Sequence, residues 1–104
     1  ILDKKRTMGF IGICRKAGKL CCGHDAVKES VVKNRAVLVF FSSDASERLK
    51  DEMKNLAIKS TGTKLSLSPF SSDEFFSAIG KKSSVFSVTD EGFANKIELM
   101  FGEA

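Results

Sequence analysis

Few residues in this chain could carry out chemistry. His24 is the only histidine, and the thiols are Cys14, Cys21 and Cys22. Cys22 and His24 could in principle form a thiol–imidazole pair. They lie two residues apart across Gly23, with no third group placed to orient the ring, so His24 reads as a polar rim residue. One histidine, three cysteines and no C-x-x-C pair make neither a zinc site nor a disulfide framework. A bridge between the adjacent Cys21 and Cys22 would strain disulfide geometry, so all three read as reduced thiols of a cytoplasmic protein. Asp73-Glu74 and Asp90-Glu91 fall at expected helix starts, where capping accounts for them better than acid–base work. Gly12 followed by Gly18-Lys19-Leu20 is one residue too long for a phosphate loop and lacks the hydroxyl that would bind magnesium. Gly9-Phe10-Ile11-Gly12 has the spacing of a G-x-x-G nucleic-acid clamp. Its middle residues are apolar and suit a helix face, so a glycine pair inside a packed helix is the reading. The sequence points away from an enzyme and asks for no cofactor and no metal.

What remains is binding. The chain of 104 residues is 42% apolar, a globular value, with a formal net charge of +4 and a pI near 9.1. The first 35 residues hold nine Lys/Arg against three acids, and the rest holds eight against ten. The basic excess therefore sits in the first third, where a polyanion partner would be met. No apolar run approaches the ~18 residues of a membrane span, so no membrane partner is expected. Length and the absence of repeats or linkers suggest one domain over residues 1–104, read as a monomer.

The apolar pattern supplies the elements. After a charged lead-in over residues 1–6, Thr7 is a plausible cap for a helix whose inner face is Phe10, Ile13, Cys14 and Ala17, ended by Gly18. Leu20–Cys22 is a short strand. After Gly23, a second helix starting at His24 or Asp25 turns Val27 and Val31 inward, and Ala36–Phe41 is a strand covered on both faces. Leu49, Met53, Leu56 and Ala57 mark a third helix. Lys64–Leu67 alternates like a strand with one covered face. Ser71 and Glu74 form a capping box ahead of Phe75, Phe76 and Ile79 in a fourth helix closed by Gly80. Lys81-Lys82-Ser83-Ser84 reads as an exposed loop, Val85–Val88 as a strand, and Thr89 or Asp90 as the cap of a last helix with Phe93, Ala94, Ile97, Met100 and Phe101 inward. This alternation predicts an α/β fold, a three-layer α-β-α sandwich on a four-stranded mixed sheet.

On that frame, the helix starting after Gly23 turns free N–H groups and a partial positive charge outward, which suits phosphate. Gly23 lets a polymer backbone approach closely. Lys16 and Lys19 lie one short segment away, Lys28 is on the helix, and Lys81-Lys82-Ser83-Ser84 could form a second wall. Folded RNA is read by shape, phosphates and a few base edges. With no Tyr or Trp and most Phe at core positions, a single-strand stacking platform is not expected.

Three segments, GICRKAGKLCCG, KNRAVLVFFSSDAS and AIGKKSSVFSVTDEGFANKI, stand in an order and spacing that resemble the L-seven-Ae / L-thirty-e family of ribosomal and kink-turn-binding proteins. Within it the likeness is to the small bacterial YlxQ-type members, and it runs from about Thr7 to Leu99. The resemblance implies an α-β-α sandwich and an RNA site on Gly18-Lys19, Gly23, His24 to Glu29 and Ile79 to Val85. It also implies structured or ribosomal RNA, the ribosome or translation factors as partners. The site residues expected are thus Lys16, Gly18, Lys19, Gly23, His24, Asp25, Lys28, Lys81, Lys82, Ser83 and Ser84. The kink-turn pattern Gly-x-Asn/Lys-Glu/Gln-x-x-Lys is replaced here by Gly23-His24-Asp25-Ala26-Val27-Lys28-Glu29. Asp25 accepts but cannot donate, Ala26 has no group for a guanine edge, and Glu29 stands where the lysine would. Lys28 is one position, ~100° of helix, away. The resemblance then leaves two readings: an RNA-binding protein, or a protein-interaction module of the translation machinery that has lost specific kink-turn binding.

Overall fold

The computed structural model describes residues 3–102; Ile1 and Leu2 of the expected lead-in lie outside the described residues. Nine elements alternate along the chain: α1 (Lys4–Lys16), β1 (Leu20–Cys22), α2 (His24–Val32), β2 (Leu38–Phe41), α3 (Glu47–Ile58), β3 (Lys64–Leu67), α4 (Ser72–Ile79), β4 (Val85–Val88) and α5 (Glu91–Gly102). The strands form one mixed sheet in the order β1-β4-β2-β3. β4 runs antiparallel to both neighbours, and β2 pairs parallel with β3.

The two central strands, β2 and β4, are buried along their whole length. Successive side chains of a strand point to opposite faces, so one apolar run feeds two cores. Leu38, Phe40, Phe86 and Val88 meet Ile11 of α1, Phe75 of α4 and Ile97 of α5 on one face. Val39, Phe41 and Val85 meet Val27 and Val31 of α2 and Met53 of α3 on the other. This is the three-layer α-β-α sandwich that the element order predicts. Ser87 is a polar residue inside the second layer, and its hydroxyl is matched by Ser30 Oγ at 2.7 Å. A buried hydroxyl costs little once it is paired.

The termini of the helices also follow the sequence. Ser71 and Glu74 form the reciprocal capping box, Gly18 and Gly80 close their helices at φ 74°, and Asp90 Oδ2 accepts from the Phe93 amide.

Five expectations need correction. α1 begins earlier than Thr7: Asp3 caps it by accepting from the Arg6 amide, and Thr7 is buried within the helix. Its inner face is Thr7, Met8, Ile11 and Cys14, while Ile13 and Ala17 are exposed and Phe10 is half-buried against Phe93. Gly9 and Gly12 are not packed against anything: a Cβ at either would meet no atom within 4 Å. On β3 the alternation is real but the cover is incomplete. Leu65 and Leu67 are in register with Val39 and Phe41, so they face the α2/α3 side, yet both are exposed at the sheet edge. Phe76 is likewise exposed, because only Phe75 and Ile79 of α4 turn to the sheet.

Candidate nucleic-acid interface

The first bend is built by the end of α1. The Gly18 amide donates to the Arg15 carbonyl and the Lys19 amide to the Cys14 carbonyl. This is a Schellman closure, which requires the left-handed φ that glycine supplies. Lys19 is thereby held at the entrance to β1, and its carbonyl accepts from the Thr89 amide. Four residues later, Gly23 turns the chain into α2 with φ 94° and ψ 159°, a region essentially confined to glycine. No side chain caps α2, and the amides of His24, Asp25 and Ala26 have no hydrogen-bond partner among the described residues. An uncapped helix start of this kind favours an anion.

The second bend follows α4. Its C-terminal Ile79 carbonyl accepts from Arg15 Nη1 at 2.7 Å, which ties the end of α1 to the end of α4. Lys81 and Lys82 are exposed in the loop, as expected, but Ser83 is not. It is buried, its Oγ accepts from the Gly23 amide at 3.0 Å and the Val85 amide at 3.2 Å, and it donates to the Val85 carbonyl at 2.6 Å. The Gly23 amide also reaches the Val85 carbonyl at 3.1 Å. Ser83 clasps this loop to the Gly23 turn, so it positions the corner rather than facing outward. Ser84 is half-buried, its carbonyl accepting from the Ser42 amide.

Substituting Ser83→Ala removes the clasp and strips the Val85 amide of its serine acceptor. We expect a loss of about 1–2 kcal/mol in a urea unfolding titration, the usual cost of an unmade buried hydrogen bond. Weaker RNA binding should accompany it, because the loop is then held to the Gly23 turn by the Val85 carbonyl alone.

Charge at the corner is unevenly spent. Lys16, Lys19, Lys28 and Lys81 are exposed and make no ion pair among the described residues. Lys82 reaches Asp73 only at 3.9 Å between two exposed side chains, a weak tie. Glu29 leans away toward Lys33 at 3.1 Å and Arg35 at 3.3 Å. The Lys33 hydrogen bond, followed by the charge of Arg35, holds its carboxyl below the usual range, so its charge is offset within α2.

His24 does not approach a thiol. Its Nε2 is 2.7 Å from Glu52 of α3 and its Nδ1 is 3.3 Å from Asp25. The Glu52 hydrogen bond, then that of Asp25, raises the imidazole above its ordinary value. A raised folded value means that the pair favours the fold below the unfolded imidazole value and that this contribution is lost as pH rises through the folded one. An NMR titration of the ring protons should therefore give a midpoint above that of free histidine, and Glu52→Gln should move it down.

Burial pushes the Cys14 thiol up to about 12 and also raises Cys22, although Arg15 and Lys81 are near enough to oppose the latter shift. Neither thiol is poised as a nucleophile at neutral pH. No His, Cys, Asp or Glu group that could hold a metal occurs among the described residues. No helix among them is long and apolar enough to cross a membrane.

The structure joins the Lys81 loop to the Gly23 turn, while Lys19 sits at the other end of β1, beside Thr89. Lys16 lies at the end of α1 and Lys28 one turn into α2. Sequence reasoning misses Arg15 as the tie between helix ends, Ser83 as the clasp, and Glu52 as the partner of His24. Each of these contacts spans 28 residues or more, beyond the reach of any local pattern.

Fold and corner together define a class: small α-β-α sandwiches that hold an uncapped helix start between two basic bends. No protein-family model matches the chain. It is 34% identical over 94 residues to the RNA-binding protein YlxQ of Enterococcus faecium, spanning 90% of this chain and 89% of that one. A solved protein of unknown function from Bacillus halodurans superposes with a TM-score of 0.81 at 24% identity, over 92% of this chain and 96% of that one. The Giardia lamblia 15.5kD RNA binding protein superposes with a TM-score of 0.67 at 13% identity, over 92% and 82%. The two structural likenesses concern the fold. On the sequence likeness, the chain belongs to the YlxQ family.

Proposed function

We propose that this chain is a ribosomal-protein-like RNA-binding protein that grips structured RNA, kink-turn-like or ribosomal, at the corner between its two basic bends. The observation that carries the reading is the clasp from Gly23 to Ser83, which joins the Lys81-Lys82 loop to the uncapped start of α2. The set of contacts is Lys16, Gly18, Lys19, Gly23, His24, Asp25, Lys28, Lys81, Lys82 and Ser84, with Ser83 as the positioning residue. The RNA binding for which the Enterococcus faecium relative is named supports the same reading.

The chemistry favours phosphate and shape over base reading. Four unpaired lysines and three free amides suit phosphate oxygens. Ala26 contributes nothing to a guanine edge, and His24 is engaged by Glu52. Four lysine–phosphate contacts give a slope of about −3 in log affinity against log salt, or roughly 60-fold loss between 50 and 200 mM. Filter binding with a kink-turn RNA and with ribosomal RNA fragments across that range tests the proposal. Binding with that slope supports it, and no binding at low salt overturns it. Ala26 and the Glu52–His24 pair favour one second reading, a protein-interaction module of the translation machinery. Translation factors retained on the full chain after nuclease treatment, with no RNA binding at low salt, would select it.

A further inference from the structure

A second surface adjoins that corner and shares Lys16 with it at one end. Lys4 Nζ is 2.7 Å from Glu74 near the start of α4, and Arg15 Nη1 is 2.7 Å from the carbonyl of Ile79 at its end. α1 and α4 therefore run side by side in the same direction. The trough between them is about 720 Å³, floored by Met8, Gly9, Gly12, Ile13, Ala78 and Ile79. Lys4 and Lys5 stand at one end and Arg15 and Lys16 at the other. Lys5 and Lys16 make no ion pair among the described residues, and the acid at the rim, Glu74, is engaged by Lys4.

Glycine inside a helix is unfavourable, yet neither Gly9 nor Gly12 is needed to fit this chain's own packing. Their effect is to leave the floor open. Ile13 stays 57% exposed on it. The floor is aliphatic and offers no ring on which a base could stack, which disfavours nucleic acid there. A helix of 13 residues is about 20 Å long, enough to seat three to four turns of a second helix. An apolar middle between two cationic ends is complementary to a segment that is apolar in the middle and acidic at both ends. We propose that the trough docks an acidic amphipathic helix of a protein partner, presented as i, i+3/i+4, i+7 anchors.

The probe is a fluorescein-labelled helical peptide of roughly 18 residues, with a leucine stripe at that spacing and glutamates at both ends. A scramble of equal composition lacks the stripe. Anisotropy with the full chain should show the designed peptide binding about tenfold tighter than the scramble, and weakening with salt. Amide NMR shifts should gather at Gly9, Gly12 and Ala78. Lys5→Glu should weaken binding, while Gly12→Leu, which has room for its side chain, should abolish it without lowering the unfolding midpoint or the affinity for folded RNA. Equal binding of the scramble, full binding to the Gly12→Leu protein, or shifts centred on the α2 start would overturn the proposal. So would an oligouridine that moves the trough amides while the peptide does not.

Discussion

Reversing charge on both bends at once, Lys19→Glu with Lys81→Glu, lowers affinity for a folded RNA by about 100-fold at moderate salt. A lysine–phosphate contact contributes on the order of 1 kcal/mol, and a glutamate in its place adds about 0.3 kcal/mol of screened repulsion. Two such changes give roughly 2–3 kcal/mol, or 30- to 150-fold. The salt slope should fall by about two, one unit for each phosphate left without its lysine. The weakening should be uniform across RNA sequences, because neither lysine reads a base. Both side chains are exposed and unpaired, so the unfolding curve should be unchanged. Filter binding of wild type, each single variant and the double variant checks all of this. A further sign of a shared site would be coupling between the two substitutions.

Phe40→Ala should cost about 3–5 kcal/mol, a large part of the roughly 5–15 kcal/mol that holds a small domain together. Phe40 is fully buried on β2, stacked on Phe86 with centroids 4.9 Å apart and edge-on to Phe101 at 5.2 Å, with Phe75 at 5.8 Å. Its ring therefore touches β4, α4 and α5 at once. Alanine would leave a cavity between three elements that are each fixed elsewhere and cannot all close on it. Because α4 and β4 are the two ends of the Lys81-Lys82 loop, RNA affinity should fall along with stability. Urea unfolding and binding measured on the same sample separate the two effects.

Much of this architecture is legible in the sequence. The unbroken run Ala36–Phe41 suits only a strand covered on both sides, and the Ser71–Glu74 box and the glycines at 18 and 80 mark helix ends without further help. Periodicity fails where two faces of one helix are apolar. In α1, Phe10-Ile13-Cys14-Ala17 and Met8-Ile11-Cys14 both satisfy helical spacing, and only the sheet decides which one is buried. It fails again on β3, where alternation cannot say that the strand lies at an edge with its leucines half uncovered. The basic corner is legible in its parts, as two lysine-bearing turns and a glycine before a helix. What joins them is not. Ser83 looks like a loop serine in any window of the sequence, and its role comes from Gly23, sixty residues earlier. His24 looks unattached because its partner lies on another helix.

The departures at positions 25, 26 and 29 also change meaning in three dimensions. Glu29, which stands where a lysine would meet phosphate, is turned to Lys33 and Arg35 and does not leave a bare negative charge over the site. Asp25 points into solvent beside His24. Protonation of the imidazole held between Asp25 and Glu52 takes one negative charge off the α2 start. RNA affinity should therefore weaken as pH rises through the His24 transition, in step with the ring titration.

Amide chemical-shift mapping of the isotope-labelled chain against a kink-turn RNA tests the shared corner most directly. The large shifts should fall together on Gly18, Lys19, the His24–Lys28 turn and Lys81–Ser84, and they should scale with one another through the titration. Shifts confined to one bend, or centred on a surface away from the α2 start, would contradict a single grip formed by both bends.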